Sequence, residues 1–95
     1  MNQKAVIHIG TLHAKPEYVD DLINSLEALK QSPGYISHEC FRDIEDVNKF
    51  TLVEKWHCKE DHENFVKSFS KEAMEQWLNM VAEVGEDSYF QEIEC

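Results

Sequence analysis

Glycine is scarce in this chain. The three present, Gly10, Gly34 and Gly85, lie far apart, so no glycine-rich loop can cradle a phosphate and nucleotide cofactors are not expected. Cysteine is equally sparse. Cys40, Cys58 and Cys95 are odd in number and show no paired spacing, which speaks against a disulfide framework and for reduced thiols in the cytoplasm. Basic residues are outnumbered, nine against nineteen acids, for a formal charge of −10. That charge repels nucleic-acid phosphates and anionic lipid at long range, and no basic stripe offsets it. The acids are scattered (Asp20, Asp21, Glu45, Asp46, Glu60, Asp61, Glu83, Glu86, Asp87) and read as solvated faces. No apolar run approaches the roughly 20 residues of a membrane span, and Met1–Lys4 lacks a signal-peptide pattern, so export is not expected.

What remains is an ordinary globular composition. Hydrophobic residues make up 42% and charged residues 29% of 95 positions, a size and balance expected of one domain over residues 1–95. Residues 5–12 are β-branched and apolar on both parities, as in a strand covered on both faces. Pro16 suits a first helical position, Glu17, Asp20 and Asp21 suit a helix N-terminus, and Val19, Leu22, Ile23, Leu26 and Leu29 make an apolar stripe ended by Ser32-Pro33-Gly34. Tyr35–Arg42 and Phe50–His57 read as two strands of a hairpin joined by the polar stretch 43–49. Lys59–Ser68 and Ser70–Val84 carry helical spacing with a break near Phe69 and Ser70 as a cap, and Ser88–Glu94 closes the chain as a fourth strand. This order predicts an α+β, ferredoxin-like split βαββαβ fold with a four-stranded antiparallel sheet and both helical layers on one face. The other face, with Ile7 and Ile9 set against Val6 and Leu12, calls for cover by a second copy, a homodimer.

A hairpin closing about residue 46 places His38 opposite Glu54 and Ile36 opposite Trp56, with Cys40 and Leu52 on the same face. A carboxylate beside an imidazole fixes its tautomer and favours its charge, so His38 and Glu54 are either a proton-moving pair beside an aromatic wall or a hydrogen-bonded structural pair. His8 shares its parity with Gly10, whose missing side chain leaves volume either for a ligand or for a bulge. His62 falls in the first turns of the second helical region, over the mouth of such a pocket or facing solvent. His57, Cys58 and His62 match no strong metal motif, and no metal is expected. Cys40 lies two residues from His38, too far along a strand for a nucleophile and its base.

One string of residues carries a family likeness: Lys15-Pro16, Ser32-Pro33-Gly34-Tyr35-Ile36, Phe41-Arg42-Asp43 and Leu52-Val53-Glu54-Lys55-Trp56. In that order it resembles the antibiotic biosynthesis monooxygenase family, dimeric α+β barrels, over residues 5–94. The resemblance implies cofactor-free oxygenation of a small electron-rich aromatic such as a quinol. Trp56 matches the family's pocket tryptophan and Glu54 the acid two places before it. His38, Glu54 and Trp56 are thus the catalytic candidates, and His8, Gly10, His62 and Phe65 the substrate-binding ones. The departures are specific. Helix-two histidines of many members are replaced by Phe65 and Ser70, His38 stands where an aromatic hydroxyl is common, and Gly10 and Glu75 occupy positions that argue against haem. A non-catalytic ligand-binding or stress-response module, and a small-molecule isomerase, are the alternatives.

Overall fold

The computed structural model describes residues 4–93. Its elements are β1 (Val6–Ala14), a 3-10 turn (Pro16–Tyr18), α1 (Val19–Ser25), a second 3-10 stretch (Leu26–Gln31), β2 (Tyr35–Arg42), β3 (Lys49–Trp56), α2 (Lys59–Lys67), α3 (Lys71–Met80) and β4 (Val81–Gln91). The four strands form one antiparallel sheet in the order β2-β3-β1-β4, the ferredoxin-like α+β arrangement expected. Among the described residues, no helix is long and apolar enough to cross a membrane.

Alternation along the strands decides where the core lies. Leu12 and Ala14 of β1 and Phe50 of β3 face the helices, and with Leu22 and Val81 they make the buried cluster on which Val19, Leu52, Trp77 and Met80 pack. The opposite face carries Ile7, Ile9 and Val53, none of them buried, with Phe41 and Phe90 52% and 49% exposed. The loop between β2 and β3 is held by Asp43, whose carboxylate accepts from the backbone N–H of Glu45 and Asp46 at 2.7 and 3.0 Å.

Three expectations are corrected. The first helical segment is not one helix but a seven-residue α-helix between two 3-10 stretches. The fourth strand begins at Val81 rather than Ser88, taking 81–84 from the helix expected there; Glu94 lies outside the described residues. The reason is pairing: β4 runs the length of β1, from Val6↔Gln91 to Ala14↔Val81, and the ladder outweighs the weak helical spacing. Gly85 sits in the bulge of that ladder, where a side chain would press on Thr11. Finally, Tyr35 rather than Ile36 stands opposite Trp56, because β2 bulges between Tyr35 and Ser37, while His38↔Glu54 and Cys40↔Leu52 pair as expected. Ser70 caps α3 as expected, its hydroxyl accepting from Ala73 N–H at 3.1 Å.

Candidate active site

The register of the sheet aligns four polar side-chain positions in one row. His38 of β2 pairs with Glu54 of β3, Glu54 with His8 of β1, and His8 with Tyr89 of β4. His8 and Glu54 share the parity of Leu12 and Phe50 on their strands, and His38 and Tyr89 pair with them, so the row lies on the helix-facing side of the sheet. α2 crosses above it and brings His62 and Phe65, one turn apart on the helix, onto the row.

Within the row, His8, Glu54 and His62 are 8%, 6% and 7% exposed. The two imidazoles stack with centroids 4.0 Å apart and planes 23° apart. Glu54 Oε2 stands 3.7 Å from His8 Nδ1, and Glu54 Oε1 stands 3.7 Å from His62 Nε2. At that separation the contacts are electrostatic rather than hydrogen bonds, and among the described residues buried His8 Nδ1 has no hydrogen-bond partner. The outer edge of each group is held. Asp87 Oδ2 lies 2.9 Å from His8 Nε2, the Tyr89 hydroxyl 2.6 Å from His62 Nδ1, and Trp56 Nε1–H donates to Glu54 Oε1 at 3.1 Å. Trp56, fully enclosed, meets His62 edge-on at 5.6 Å and Phe65 at 5.6 Å, and so walls the cluster.

The environment separates the two histidines. Burial pulls the His8 pKa down, but Glu54 and Asp87 together outweigh it and the value is raised. Burial and the charge of His8 push His62 below its ordinary value despite Glu54. The stack therefore favours a charged His8 against a neutral His62. Tyr89 is raised, first by burial and then by Glu63, Asp87 and Glu54, so its hydroxyl keeps its proton at neutral pH.

Two imidazoles and a carboxylate whose donor atoms lie within 4.8 Å of one another are also a conceivable metal donor set. The stacking decides against it in this arrangement: near-parallel rings send their in-plane lone pairs side by side instead of toward one point. Shared protons suit the geometry better. Two recesses stand out elsewhere, a void of about 10 Å³ between α1 and the sheet near Leu22 and Phe50, and an open hollow of about 250 Å³ beside Lys4, Ala5, Glu92 and Ile93. Neither is lined by the cluster.

The structure gathers Glu54, Trp56, His8, His62 and Phe65, all singled out from the sequence. His38 pairs with Glu54 through the backbone, yet its Nδ1 meets the Tyr35 hydroxyl at 2.6 Å; the imidazoles at the carboxylate are His8 and His62. The volume expected above Gly10 is taken, since a Cβ there would lie 3.4 Å from Asp87 Cβ and 3.5 Å from His8 Cε1. Gly10 thus lies directly against the Asp87–His8 contact, at a distance where a Cβ would make ordinary van der Waals contact. Sequence reasoning missed Asp87, read as a solvated acid, and the role of Tyr89; both depend on the β1–β4 register, which no local pattern announces.

Comparison with known proteins agrees with this architecture. A search of curated proteins gave no match. Among solved structures, a protein of Chloroflexus aurantiacus J-10-fl assigned to the antibiotic biosynthesis monooxygenases superposes with a TM-score of 0.78 at 22% identity, over 96% of this chain and 95% of its own. SnoaB of Streptomyces nogalater, a cofactor-independent oxygenase, gives 0.78 at 14% identity over 97% and 96%. A conserved protein of Methanosarcina mazei Go1 gives 0.76 at 18% identity over 97% and 96%. At these identities the likeness is one of fold. The sequence profile of the family described as antibiotic biosynthesis monooxygenase, however, matches residues 5–82, and by that match the chain belongs to the antibiotic biosynthesis monooxygenase family.

Proposed function

We propose that the chain is a cofactor-independent monooxygenase for a small, electron-rich, quinol-like aromatic, acting in the cytoplasm as a homodimer. The observation that carries this reading is the stacked His8–His62 pair against Glu54, three titratable groups each under a tenth exposed. Burying such groups is unfavourable unless they are mutually compensated, and they cluster where proton transfer is needed more often than in ordinary cores.

The chemistry needs little else. A phenol that loses its O–H proton becomes an electron donor able to reduce dioxygen directly; in sum, a phenol C–H and O₂ give a quinone and water. Glu54 and the imidazoles receive the proton, Trp56 and Phe65 supply apolar wall, and exclusion of water strengthens each charge interaction. Gly10 packs beside the Asp87 and His8 side chains, and His38, fixed to Tyr35, ends the row. With the cluster this enclosed, a ring substrate enters only as α2 or a covering side chain moves aside. A second copy on the face bearing Ile9, Val53 and Phe90 would hide apolar surface that water otherwise meets.

Oxygen uptake measured with a panel of quinols and naphthol-like phenols tests the reading. Stimulation is expected, with loss of about 10²-fold or more on Glu54→Gln or His62→Gln. No stimulation by any member refutes it. The packing of Trp56 against His62 and Phe65 favours a second reading, an apolar-ligand or stress-response module. Saturable phenol binding without oxygen uptake would establish that one instead.

A further inference from the structure

We propose that the Tyr89 hydroxyl is the group that touches the substrate, with His62 and Glu54 standing behind it in hydroxyl–imidazole–carboxylate order. This rests on the monooxygenase reading and assigns its missing acid–base residue.

The geometry is a graded sequence from surface to interior. Tyr89, on the edge strand β4, is only partly buried. Its oxygen lies 2.6 Å from His62 Nδ1, and His62 Nε2 lies 3.7 Å from Glu54 Oε1. His62 and Glu54 are buried and Tyr89 is the least buried of the three, so a ring entering as the cover moves aside meets Tyr89 first. Glu54 is in turn oriented by Trp56 Nε1–H at 3.1 Å. The same order of groups serves activated hydroxyls on unrelated folds.

Charge placement gives the direction of transfer. His8, between Asp87 and Glu54, takes the positive charge of the stacked pair and leaves His62 neutral, so that Nδ1 accepts the Tyr89 O–H while Nε2–H points to Glu54. Each group facing Tyr89 fits this assignment. His62 and His8 lie at ring distances of 5.4 and 5.2 Å, Glu63, Asp87 and Glu54 oppose ionisation of the phenol, and Lys59 Nζ sits 5.2 Å over the ring. In a chain of net charge −10, Lys59 supplies a cation where a substrate oxygen gains negative charge. The substrate class is therefore a phenol or enol with an ionisable O–H. In the step, the substrate O–H bond breaks and its proton joins the Tyr89 oxygen, while the original Tyr89 proton passes to His62 Nδ1. The products are a substrate oxyanion and an imidazolium facing Glu54.

Tyr89→Phe tests this with two readouts. Oxygen uptake with a phenol that wild type accepts should fall about 10²-fold or more in kcat, with KM within about threefold. Long-range ¹H–¹⁵N correlation spectra, which need no turnover, should show His62 as the Nε2–H tautomer in wild type and lose that preference in Tyr89→Phe. Ser88→Ala, on the opposite face of β4 beside Ile9, is the control and should leave both unchanged. If wild type is active and Tyr89→Phe keeps its kcat, the assignment is overturned while the monooxygenase reading stands. A protonated Nδ1 on His62 in wild type overturns the direction of transfer even if activity falls. If no phenol stimulates uptake by wild type, the enzyme reading fails and the catalytic role of Tyr89 with it.

Discussion

Replacing Trp56 by phenylalanine should destabilise the domain by about 3 kcal/mol. Trp56 is the largest fully enclosed side chain, 0% exposed, and its indole N–H is the donor to Glu54 Oε1. Two effects add. Removing the donor leaves a buried carboxylate oxygen short of a partner, which costs roughly 1–3 kcal/mol. The smaller ring also leaves a void beside Tyr35, His62 and Phe65, and partial loss of an aromatic side chain from a core adds about 1–2 kcal/mol, below the roughly 3–5 of full truncation. A chain of this length has about 5–14 kcal/mol of stability in total, so the variant still folds. At roughly 4–8 °C per kcal/mol for a domain of this size, Tm should drop by about 12–24 °C. Thermal unfolding followed by far-UV circular dichroism, at one fixed protein concentration because association would raise Tm, measures it. A loss under about 4 °C with an unchanged urea m-value refutes the reasoning, for it would mean that Glu54 readily finds another donor and that the indole is not the wall of the cluster.

His8 gives a pH signature. Its native pKa is raised above the unfolded value, so its favourable contribution is complete below about pH 6.5 and is lost as pH rises through the native pKa. The stability gap between wild type and His8→Gln, from urea titrations, should therefore narrow from pH 6 to pH 9; a widening gap contradicts the charge assigned to His8. Gly34 adopts φ +85°, and a Cβ there would collide with the Asp61 carboxylate. Gly34→Ala should thus lose roughly 2–3 kcal/mol by urea unfolding, part of it returned by adding Asp61→Ala; no loss would show that the turn relaxes. Ile9→Arg, on the half-buried central strand of the helix-free side, should convert a sedimenting dimer to a particle of one chain's mass at micromolar concentration. Wild type already sedimenting as one chain would refute the covering copy.

Most of the fold was legible because its signals are local. Pro16, Ser70 and the apolar stripe through Leu22 and Leu29 mark helical segments by chemistry within a few residues, and the β2–β3 register follows from a short connection that leaves few alternatives. Besides the split first helix and the shift from Ile36 to Tyr35, what failed was the boundary at Val81. Ala73, Trp77 and Val81 share a helical spacing, yet Val81 opens a strand because β1 offers a partner along its full length. Only a long-range pairing, across nearly the whole chain, could have revealed that.

The site divides along the same line. Glu54 and Trp56 are two apart on one strand and share a face by necessity, so their association was readable, whereas His8 and Asp87 are separated by 79 positions and meet only through the β1–β4 ladder. His38 illustrates the converse: a correct backbone pairing with Glu54 did not bring the side chains together, because Tyr35, displaced by the bulge onto Trp56, supplied a hydroxyl 2.6 Å from the ring. Freed from His38, the carboxylate faces two other imidazoles, and Asp87 distinguishes one from the other. Asp87 is largely exposed and so a weak partner in energy, but its asymmetric placement breaks the equivalence of the stacked rings. Glu54 and Asp87 together draw the proton to His8, burial and the charge of His8 leave His62 neutral and able to accept, and the direction of any transfer through Tyr89 follows from that difference.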